Sequence, residues 1–252
     1  MKTCIDLNAD MGEGFGCWSI GQGIDASIMP LISSANIAAG FHAGDPTTMR
    51  QCLRRAAVHN VNVGVHPGFR DLVGFGRRHI EAAPDELVND VLYQLGALRE
   101  LAHGEGLVLH HLKLHGALFM HAAKDKPFAA ALCEGLACVA SDLPIYCLAG
   151  SALDLEAEQR CLPRVHEFYA DRDYDDTGSI VFIRKIVPRD PMEVAEKVAL
   201  ACREGRVISV TGTSVPVSFD SICIHSDTPG ALEILKAVRH RLNEEGVHVR
   251  AA

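Results

Sequence analysis

The chain has 252 residues, of which 22% are charged and 48% are apolar, and its 24 basic residues against 32 acidic ones give a formal charge of -8. This composition excludes a disordered or low-complexity protein and fits one domain with a full core. The acidic balance and the scattered basic residues give no electrostatic footprint for nucleic acid or an anionic membrane. No apolar run approaches the roughly 20 residues of a membrane span. A small ligand or a protein partner remains.

The nine cysteines are an odd number, which does not suit a disulfide framework. None of them occurs as Cys-x-x-Cys, so a structural zinc site of that type is not indicated. Because no signal peptide is recognisable, the sequence predicts a reduced, cytoplasmic setting in which most cysteines fill the core.

Short runs rich in β-branched residues alternate with segments of helical period, which is typical of a parallel sheet wrapped by crossover helices. Seven strands are predicted near Thr3–Leu7, Ser33–Ala38, Asn62–Val65, Leu107–Leu112, Pro144–Leu148, Arg164–Phe168 and Ser221–Ile224. Helices are predicted near Thr47–His59, Leu87–Ala102, Met192–Arg203 and Ala231–Glu244. Candidate helix starts are Asp85 and Asp190, and candidate ends are Gly104 and Gly205.

A Gly-rich loop carrying His, Asp, Lys or Arg follows nearly every predicted strand. In a parallel α/β barrel such loops converge on one mouth, so groups distant in sequence can surround one ligand. We therefore predict that residues 1–252 form a single domain of the α/β class, a closed or nearly closed β/α barrel. A flat doubly wound sheet is the alternative, because strand counting does not separate the two.

The first predicted strand runs into a row of polar residues at alternate positions. Asp6, Asn8 and Asp10 share one face of an extended segment. Buried carboxylates are costly unless they are paired or bound to a metal, so the row is either a site or a structural hydrogen-bond network. The glycines that follow could turn backbone N–H groups towards an anion or could be ordinary turn residues, but they do not form a P-loop.

Three histidines, His42, His66 and His115, follow successive predicted strands. A lone histidine would favour a structural role, whereas three at strand ends favour a site in which imidazole acts as a general base or a metal ligand. Lys113 lies two residues before His115. Asp45, followed by Pro46, is also a candidate helix cap.

Arginines and acidic residues follow the other strands. Arg77 and its neighbour Arg78 suit a carboxylate or phosphate, although a solvated charge pair is the alternative. Glu167, Asp171, Arg172 and Tyr174 follow the sixth predicted strand, and Arg184 comes after Gly178; some of these are expected to pair with one another.

The seventh strand ends at His225, where Asp227 could cap the last helix or orient the imidazole. The sequence has no Gly-x-Ser-x-Gly elbow, no His-Glu-x-x-His motif and no family signature around a cysteine. Acid–base or metal-assisted hydrolysis is therefore indicated rather than acyl-enzyme chemistry.

Taken together, the loops resemble the LamB/YcsF family. The resemblance rests on six segments in order: DLNADMGEGFG (Asp6 to Gly16), SANIAAGFHAGDP (Ser34 to Pro46), GVHPGFRDLVGFGRR (Gly64 to Arg78), KLHGALF (Lys113 to Phe119), EFYADRDY (Glu167 to Tyr174) and ICIHSDTP (Ile222 to Pro229). It implies an irregular seven-stranded β/α barrel related to the polysaccharide deacetylases. It also implies ATP-dependent opening of the lactam ring of 5-oxoproline to glutamate, with the 5-oxoprolinase B and C subunits as partners that handle ATP.

Placement after separate strands suggests roles for the candidate residues within that reaction. Asp10, His42 and His66 are expected to activate water, and Lys113 and His115 to meet the developing charge. Arg77, Arg172 or Arg184 is expected to hold the substrate carboxylate. The other candidate substrate contacts are Asp6, Asn8, Glu13, Asn36, Asp45, Asp171, His225 and Asp227.

Two alternatives remain open at this point. One is a metal-dependent amide hydrolase in which Asp10, His42 and His66 bind a divalent metal; the other is a non-catalytic subunit that binds a lactam or carboxylate. The sequence does not decide whether a metal is bound, and a homo-oligomer is compatible with it.

Overall fold

The computed structural model describes residues 2–19, 23–183 and 186–252. Their strands are β1 (Cys4–Met11), β2 (Gly14–Phe15), β3 (Trp18–Ser19), β4 (Ser34–Ala38), β5 (Asn62–His66), β6 (Leu109–Lys113), β7 (Ile145–Cys147), β8 (Arg164–Tyr169), β9 (Arg206–Ile208), β10 (Ser214–Pro216), β11 (Ser221–Cys223) and β12 (His248–Val249). Their α-helices are α1 (Asp25–Ile28), α2 (Pro46–His59), α3 (Pro84–Gly104), α4 (Gly116–Lys124), α5 (Lys126–Val139), α6 (Ala152–Gln159), α7 (Pro191–Glu204) and α8 (Ala231–Glu244).

Seven strands form a closed parallel barrel in the order β1, β4, β5, β6, β7, β8, β11. The barrel closes where β11 pairs with β1, with Asp6 opposite Ser221 and Asn8 opposite Cys223. β12 pairs with the start of β1 at Cys4. The predicted α/β barrel is thereby confirmed with all seven of its strands, and the flat doubly wound alternative is wrong.

The four predicted helices are present as α2, α3, α7 and α8. Asp190 caps α7 through the backbone N–H groups of Met192 and Glu193, and Gly205 ends that helix in the left-handed conformation that glycine favours. Asp85, by contrast, does not begin α3. Pro84 is already helical there, because its fixed φ angle suits the first helical position.

The inside and the outside of the barrel differ in polarity. On β1, Leu7, Ala9 and Met11 belong to the hydrophobic core, while the alternating Asp6 and Asn8 face the barrel interior. The other strands contribute buried polar side chains to that interior: Asn36, His111, Lys113, Tyr146, Glu167, Tyr169 and Ser221. A polar barrel interior needs a hydrogen-bond partner for nearly every group, and this requirement fixes the side chains of the site.

All nine cysteines are free, and five of them are buried: Cys52, Cys133, Cys147, Cys202 and Cys223. No helix in the described ranges is both long enough and apolar enough to span a bilayer.

Candidate functional site

The polar row of β1 divides into a structural part and a part that faces the candidate pocket. Asp6 accepts hydrogen bonds from the hydroxyl groups of Ser33 and Ser34 at 2.7 Å each, of Tyr146 at 2.9 Å, and of Ser221. Because four hydroxyl groups donate to it, its carboxylate belongs to a hydrogen-bond network within the barrel. For Asp6, the sequence row is therefore a structural network rather than a site.

Asn8 and Asn36 form the next level of the interior. Asn36 Nδ2 donates to Asn8 Oδ1 at 2.7 Å, and Asn8 Nδ2 donates to Glu167 Oε1 at 3.0 Å. His111 Nε2 lies 2.6 Å from Asn36 Oδ1. Burial, with His110 and Lys113 nearby, holds the pKa of His111 well below its usual value, so the ring is neutral and Nε2 carries the donated hydrogen. The amides of Asn8 and Asn36 thereby help to position Asp10 and Lys113, which lie nearer the end of the barrel.

His111 is a residue that the sequence patterns did not reveal. Its only signal is its position two residues before Lys113 on the same face of β6. Gly64 makes room for it, since a Cβ at this position would lie 2.2 Å from the imidazole.

Asp10 and Lys113 form a buried ion pair at the end of the barrel. Lys113 Nζ lies 2.8 Å from Asp10 Oδ1, which also accepts from Asn36 Nδ2 at 2.8 Å. The other oxygen, Oδ2, faces Nε2 of His66 at 3.3 Å and of His225 at 3.6 Å. Burial by itself would raise the pKa of Asp10, but the charges of His66 and Lys113 outweigh it and hold that pKa well below its usual value.

Lys113 has further partners that keep its ammonium group charged. Glu167 Oε1 lies 3.3 Å from Nζ, and Nζ donates to Cys223 Sγ at 2.9 Å. Burial opposes the charge, but the negative charge of Asp10 outweighs it and raises the pKa of Lys113 well above its usual value. The phenol of Tyr169 donates to Glu167 Oε2 at 2.8 Å.

His225 is held by Asp171. Its Nδ1 lies 2.9 Å from Asp171 Oδ1 and its backbone N–H donates to Oδ2 at 3.2 Å. Burial alone would raise the pKa of Asp171, but Arg172 at 2.9 Å and His225 lower it below its usual range. The ionised carboxylate fixes the hydrogen of the ring on Nδ1, so Nε2 faces Asp10.

Asp227 has neither of the two roles considered for it. Its Oδ2 pairs with Arg77 Nη1 at 2.8 Å, and α8 begins after Gly230 without a side-chain cap. Because Asp171 holds the imidazole of His225 and Arg77 holds Asp227, both expectations for Asp227 are wrong.

A separate group of four side chains lies close together at this end of the barrel: Glu13, His42, His66 and His115. One ligand atom from each, namely Glu13 Oε1, His42 Nε2, His66 Nε2 and His115 Nδ1, lies within 4.8 Å of every other. Such a cluster could hold a metal ion. It differs from the ligand set considered from the sequence, because Asp10 falls in a second group with Cys223 and His225, and its Oδ1 is held by Lys113.

Burial changes the protonation of this cluster in the structure as it stands. It raises the pKa of Glu13 well above its usual value, with the negative charges of Asp10 and Asp227 adding to the effect. It lowers the pKa of His42 and of His115 well below their usual values, and the neighbouring histidines contribute in the same direction. The two imidazoles are therefore neutral.

A pocket brings seven of the sixteen candidate residues together. Its polar lining consists of Asp10, His66, Arg77, Lys113, His115, Tyr169, Arg172 and His225. Its apolar wall is formed by Leu114, Phe119, Met120 and residues 180–183. A small ring bearing a carboxylate would meet both cations and apolar carbons here.

The remaining candidates do not line that pocket among the residues described. Asp45 caps α2 and accepts from the backbone N–H groups of Thr47 and Thr48 and from Gly16. Glu13 and His42 lie in the buried cluster, and Asp6, Asn8 and Asn36 lie within the barrel network. Arg184 lies outside the described residues.

Comparisons with known proteins agree with this architecture. The family model described as the LamB/YcsF family matches residues 5–252. A Pseudomonas aeruginosa protein, named as the first A subunit of 5-oxoprolinase in that organism, is 58% identical over 249 residues, covering 99% of both chains. A Mycobacterium avium protein, named as the 5-oxoprolinase A subunit, is 45% identical over 249 residues, covering 98% of both. The crystal structure of a lactam utilization protein from Thermus thermophilus superimposes with a TM-score of 0.89 at 42% identity, covering 100% of both chains.

Proposed function

Because the chain belongs to the LamB/YcsF family, we propose that it is the barrel component of a 5-oxoprolinase and opens the lactam ring of 5-oxo-L-proline to L-glutamate. The names of relatives that cover nearly its whole length support this function. The structural observation that carries it is the Asp10 carboxylate, which lines the pocket and faces His66 and His225.

Amide hydrolysis sets three requirements that the pocket residues can meet. A lactam is stabilised by resonance, so its opening needs an activated water, stabilisation of the oxyanion and a proton for the departing nitrogen. In the net reaction water adds to the ring carbonyl carbon, the C–N bond breaks and the nitrogen takes up a proton. Each step therefore needs a group that can exchange a proton or bear a charge at the pocket.

His225 is best placed to move the proton. Asp171 fixes the hydrogen on Nδ1, and Nε2 is left to take a proton from water and return it to the leaving nitrogen. The nearby Asp10 carboxylate would stabilise the imidazolium that forms. This assigns to His225 the basic role that was expected for His42, because His42 does not line the pocket.

The cations of the pocket suit the charges of the substrate. Arg77 and Arg172 line the pocket, each paired with one aspartate, and their other N–H groups can bind the substrate carboxylate. Lys113 lies at the Asp10 end, where its ammonium group would meet the developing oxyanion.

We place ATP use in the partner B and C subunits. The relatives are named as one component of a multi-subunit enzyme, and this chain has no P-loop signature. The ring would then reach the barrel phosphorylated on its carbonyl oxygen. Water adds to that carbon and the C–N bond breaks as the nitrogen takes up a proton, and a second water hydrolyses the resulting acyl phosphate to glutamate and inorganic phosphate.

Reconstitution tests the proposal. The chain, both partner subunits, ATP and 5-oxo-L-proline should together release glutamate, and omission of the chain should abolish release. Asp10→Asn and His225→Gln should each lower kcat by about 10²–10⁴-fold, while the exposed His103→Gln serves as the matched control. Full turnover by both variants would show that the site is wrongly assigned, and substrate binding without turnover would show a non-catalytic subunit.

A further inference from the structure

Four side chains meet at the ends of four neighbouring barrel strands, and two of them have buried polar atoms without a hydrogen-bond partner in the ranges that the structure describes. Glu13 follows β1, His42 follows β4, His66 ends β5 and His115 follows β6. All four are between 0% and 4% exposed. Within the described part of the chain, Glu13 Oε1 and both ring nitrogens of His42 are buried without a hydrogen-bond partner. Such atoms are costly unless a ligand satisfies them.

Hydrogen bonds on the far side of two rings determine where their lone pairs point. His66 Nδ1 lies 2.8 Å from the carbonyl oxygen of Lys113, and His115 Nε2 lies 2.8 Å from that of Phe75. A carbonyl oxygen only accepts, so both of these nitrogens carry hydrogen. His66 Nε2 and His115 Nδ1 then face each other at 3.0 Å. That approach requires a shared proton or a cation.

The distances in the cluster match those between the ligands of one ion. Glu13 Oε1 lies 3.4 Å from His42 Nε2, 3.4 Å from His115 Nδ1 and 3.9 Å from His66 Nε2. Ligand atoms at about 2.0–2.1 Å from a tetrahedral ion are about 3.4 Å apart. A single ion between the four atoms would satisfy the orphaned oxygen and the facing lone pairs at once.

We propose that Glu13, His42, His66 and His115 bind one divalent transition-metal ion of the Zn²⁺ type. Three imidazoles and one carboxylate suit such an ion better than Mg²⁺ or Ca²⁺, which prefer oxygen ligands. Two of the imidazoles already donate their other N–H to a backbone carbonyl, as metal-ligating histidines commonly do. The rings of His42 and His115 are stacked with centroids 3.7 Å apart.

Two glycines allow the backbone of the surrounding loops to approach these rings closely. A Cβ at Gly68 would lie 2.5 Å from His42 Nδ1, and a Cβ at Gly76 would lie 2.7 Å from His115 Cδ2. The cluster is therefore enclosed by backbone on two sides, which is what a preformed site requires.

Four protein ligands complete a tetrahedron, as in structural metal sites. The ion would tie together the loops after β1, β4, β5 and β6, and two of its ligands, His66 and His115, also line the pocket. Bound there, it would supply positive charge beside the reacting carbonyl. That catalytic meaning rests on the proposed function, whereas ion binding itself does not.

Metal titration of the full chain, without partner subunits, ATP or substrate, tests the inference. After treatment with a chelator, the chain should bind one equivalent of Zn²⁺ or Co²⁺ by elemental analysis, with the visible spectrum of four-coordinate Co²⁺ and a raised Tm. Glu13→Gln, which nearly preserves shape, and His42→Ala should each weaken binding by at least about 100-fold and abolish the rise in Tm.

Two control variants separate this site from the other candidate groups. His166→Gln removes a member of the group formed with Cys147 and Asp154, and Cys223→Ser removes one from the group around Asp10; both should bind the ion as the unmodified chain does. Absence of stoichiometric binding, or unchanged binding in Glu13→Gln and His42→Ala, would overturn the inference. A chain that binds the ion but does not support glutamate release would contradict only the proposed function.

Discussion

The ammonium group of Lys113 lies 2.8 Å from Asp10 and 3.3 Å from Glu167 inside the barrel, and none of the three side chains is more than 4% exposed. One cation thereby compensates two carboxylates from β1 and β8 while being carried by β6. Because an uncompensated charge is costly in such an environment, the three strands are tied together electrostatically. The same contact keeps Asp10 ionised for its place in the pocket.

Replacement of Lys113 by methionine should therefore be strongly destabilising. Lys113→Met retains most of the side-chain volume but leaves Asp10 and Glu167 without their counter-charge, and breaking a buried pair in this way costs about 3–5 kcal/mol. Urea unfolding near neutral pH measures the loss. The loss should be smaller in acid, where protonation removes the uncompensated charges.

Lys126 provides the matched control. It is 75% exposed and lies 3.7 Å from Glu156, so Lys126→Met should change the free energy of unfolding by less than about 1 kcal/mol. Similar losses in the two variants would refute a special role for the buried pair.

Sequence patterns predicted the barrel and much of the pocket for physical reasons. Strand alternation places Asp6, Asn8 and Asp10 on one face, and the ends of parallel strands meet at one mouth, so Lys113 and His66 were expected near Asp10. The pattern does not reveal strand register. Asp6 accepts hydrogen bonds from hydroxyl groups of distant strands, including that of Tyr146. These contacts depend on the register and so could not be predicted.

Other features were not predicted, because they leave no local pattern in the sequence. Helix α4 follows β6, α5 follows α4 and α6 follows β7. Apolar residues occupy most positions of α5, so its buried stripe from Phe128 to Leu136 does not stand out in the sequence. The role of Asp227 is set by Arg77, which is 150 residues away in the chain. The grouping of Glu13 with three histidines likewise depends on loop conformations that spacing does not determine.

Asp171 should act as a positioning residue for His225. Asp171→Asn keeps the shape of the side chain but permits the other tautomer of the ring, so kcat for glutamate release in the reconstituted enzyme should fall by about 10²–10⁴-fold. KM should change less than kcat, because Asp171 does not line the pocket.

A second Asp–His contact elsewhere in the barrel offers the control. Asp154 Oδ1 lies 2.9 Å from His166 Nε2, and neither residue lines the pocket. Asp154→Asn should leave kcat within about twofold in the fraction of protein that circular dichroism shows to be folded. If both asparagine variants lose activity equally, the effect reflects folding rather than orientation of His225.

The pH dependence of stability should reveal the capping role of Asp45. Hydrogen bonds from the Thr48 hydroxyl and from the backbone N–H of Gly16 lower the pKa of Asp45 from 3.8 to about 2. A carboxyl whose pKa is lower in the folded state stabilises above its unfolded pKa, and this contribution is lost as the pH falls from about 4 to about 2. Asp45→Ala should cost about 1–2 kcal/mol near neutral pH and progressively less below pH 4.

Asp190 caps α7 through two backbone N–H groups, whereas Asp45 also binds Thr48 Oγ1 and Gly16 N. Asp190→Ala should therefore cost less than Asp45→Ala in thermal or urea unfolding. A raised KM for substrate in folded Asp45→Ala would instead support the substrate contact expected from the sequence.

Two Gly→Ala substitutions should have opposite effects on stability. At Gly64 the added methyl group would lie 2.2 Å from the imidazole of His111, which is itself held by Asn36 and cannot move without breaking that hydrogen bond. Overpacking of this kind costs about 1–3 kcal/mol. Gly96 lies within α3, and a Cβ there meets no atom within 4 Å. Alanine should stabilise that helix by about 0.5–1 kcal/mol.

Comparison of the two variants by Tm and by urea midpoint checks both signs at once. The pair isolates the effect of the neighbour, because each substitution adds the same methyl group at a glycine whose φ angle is not in the left-handed region. If Gly64→Ala were as stable as the unmodified chain, His111 would have to be free to move. The interior network that holds Asn36, and through it Asp10, would then be looser than these contacts indicate.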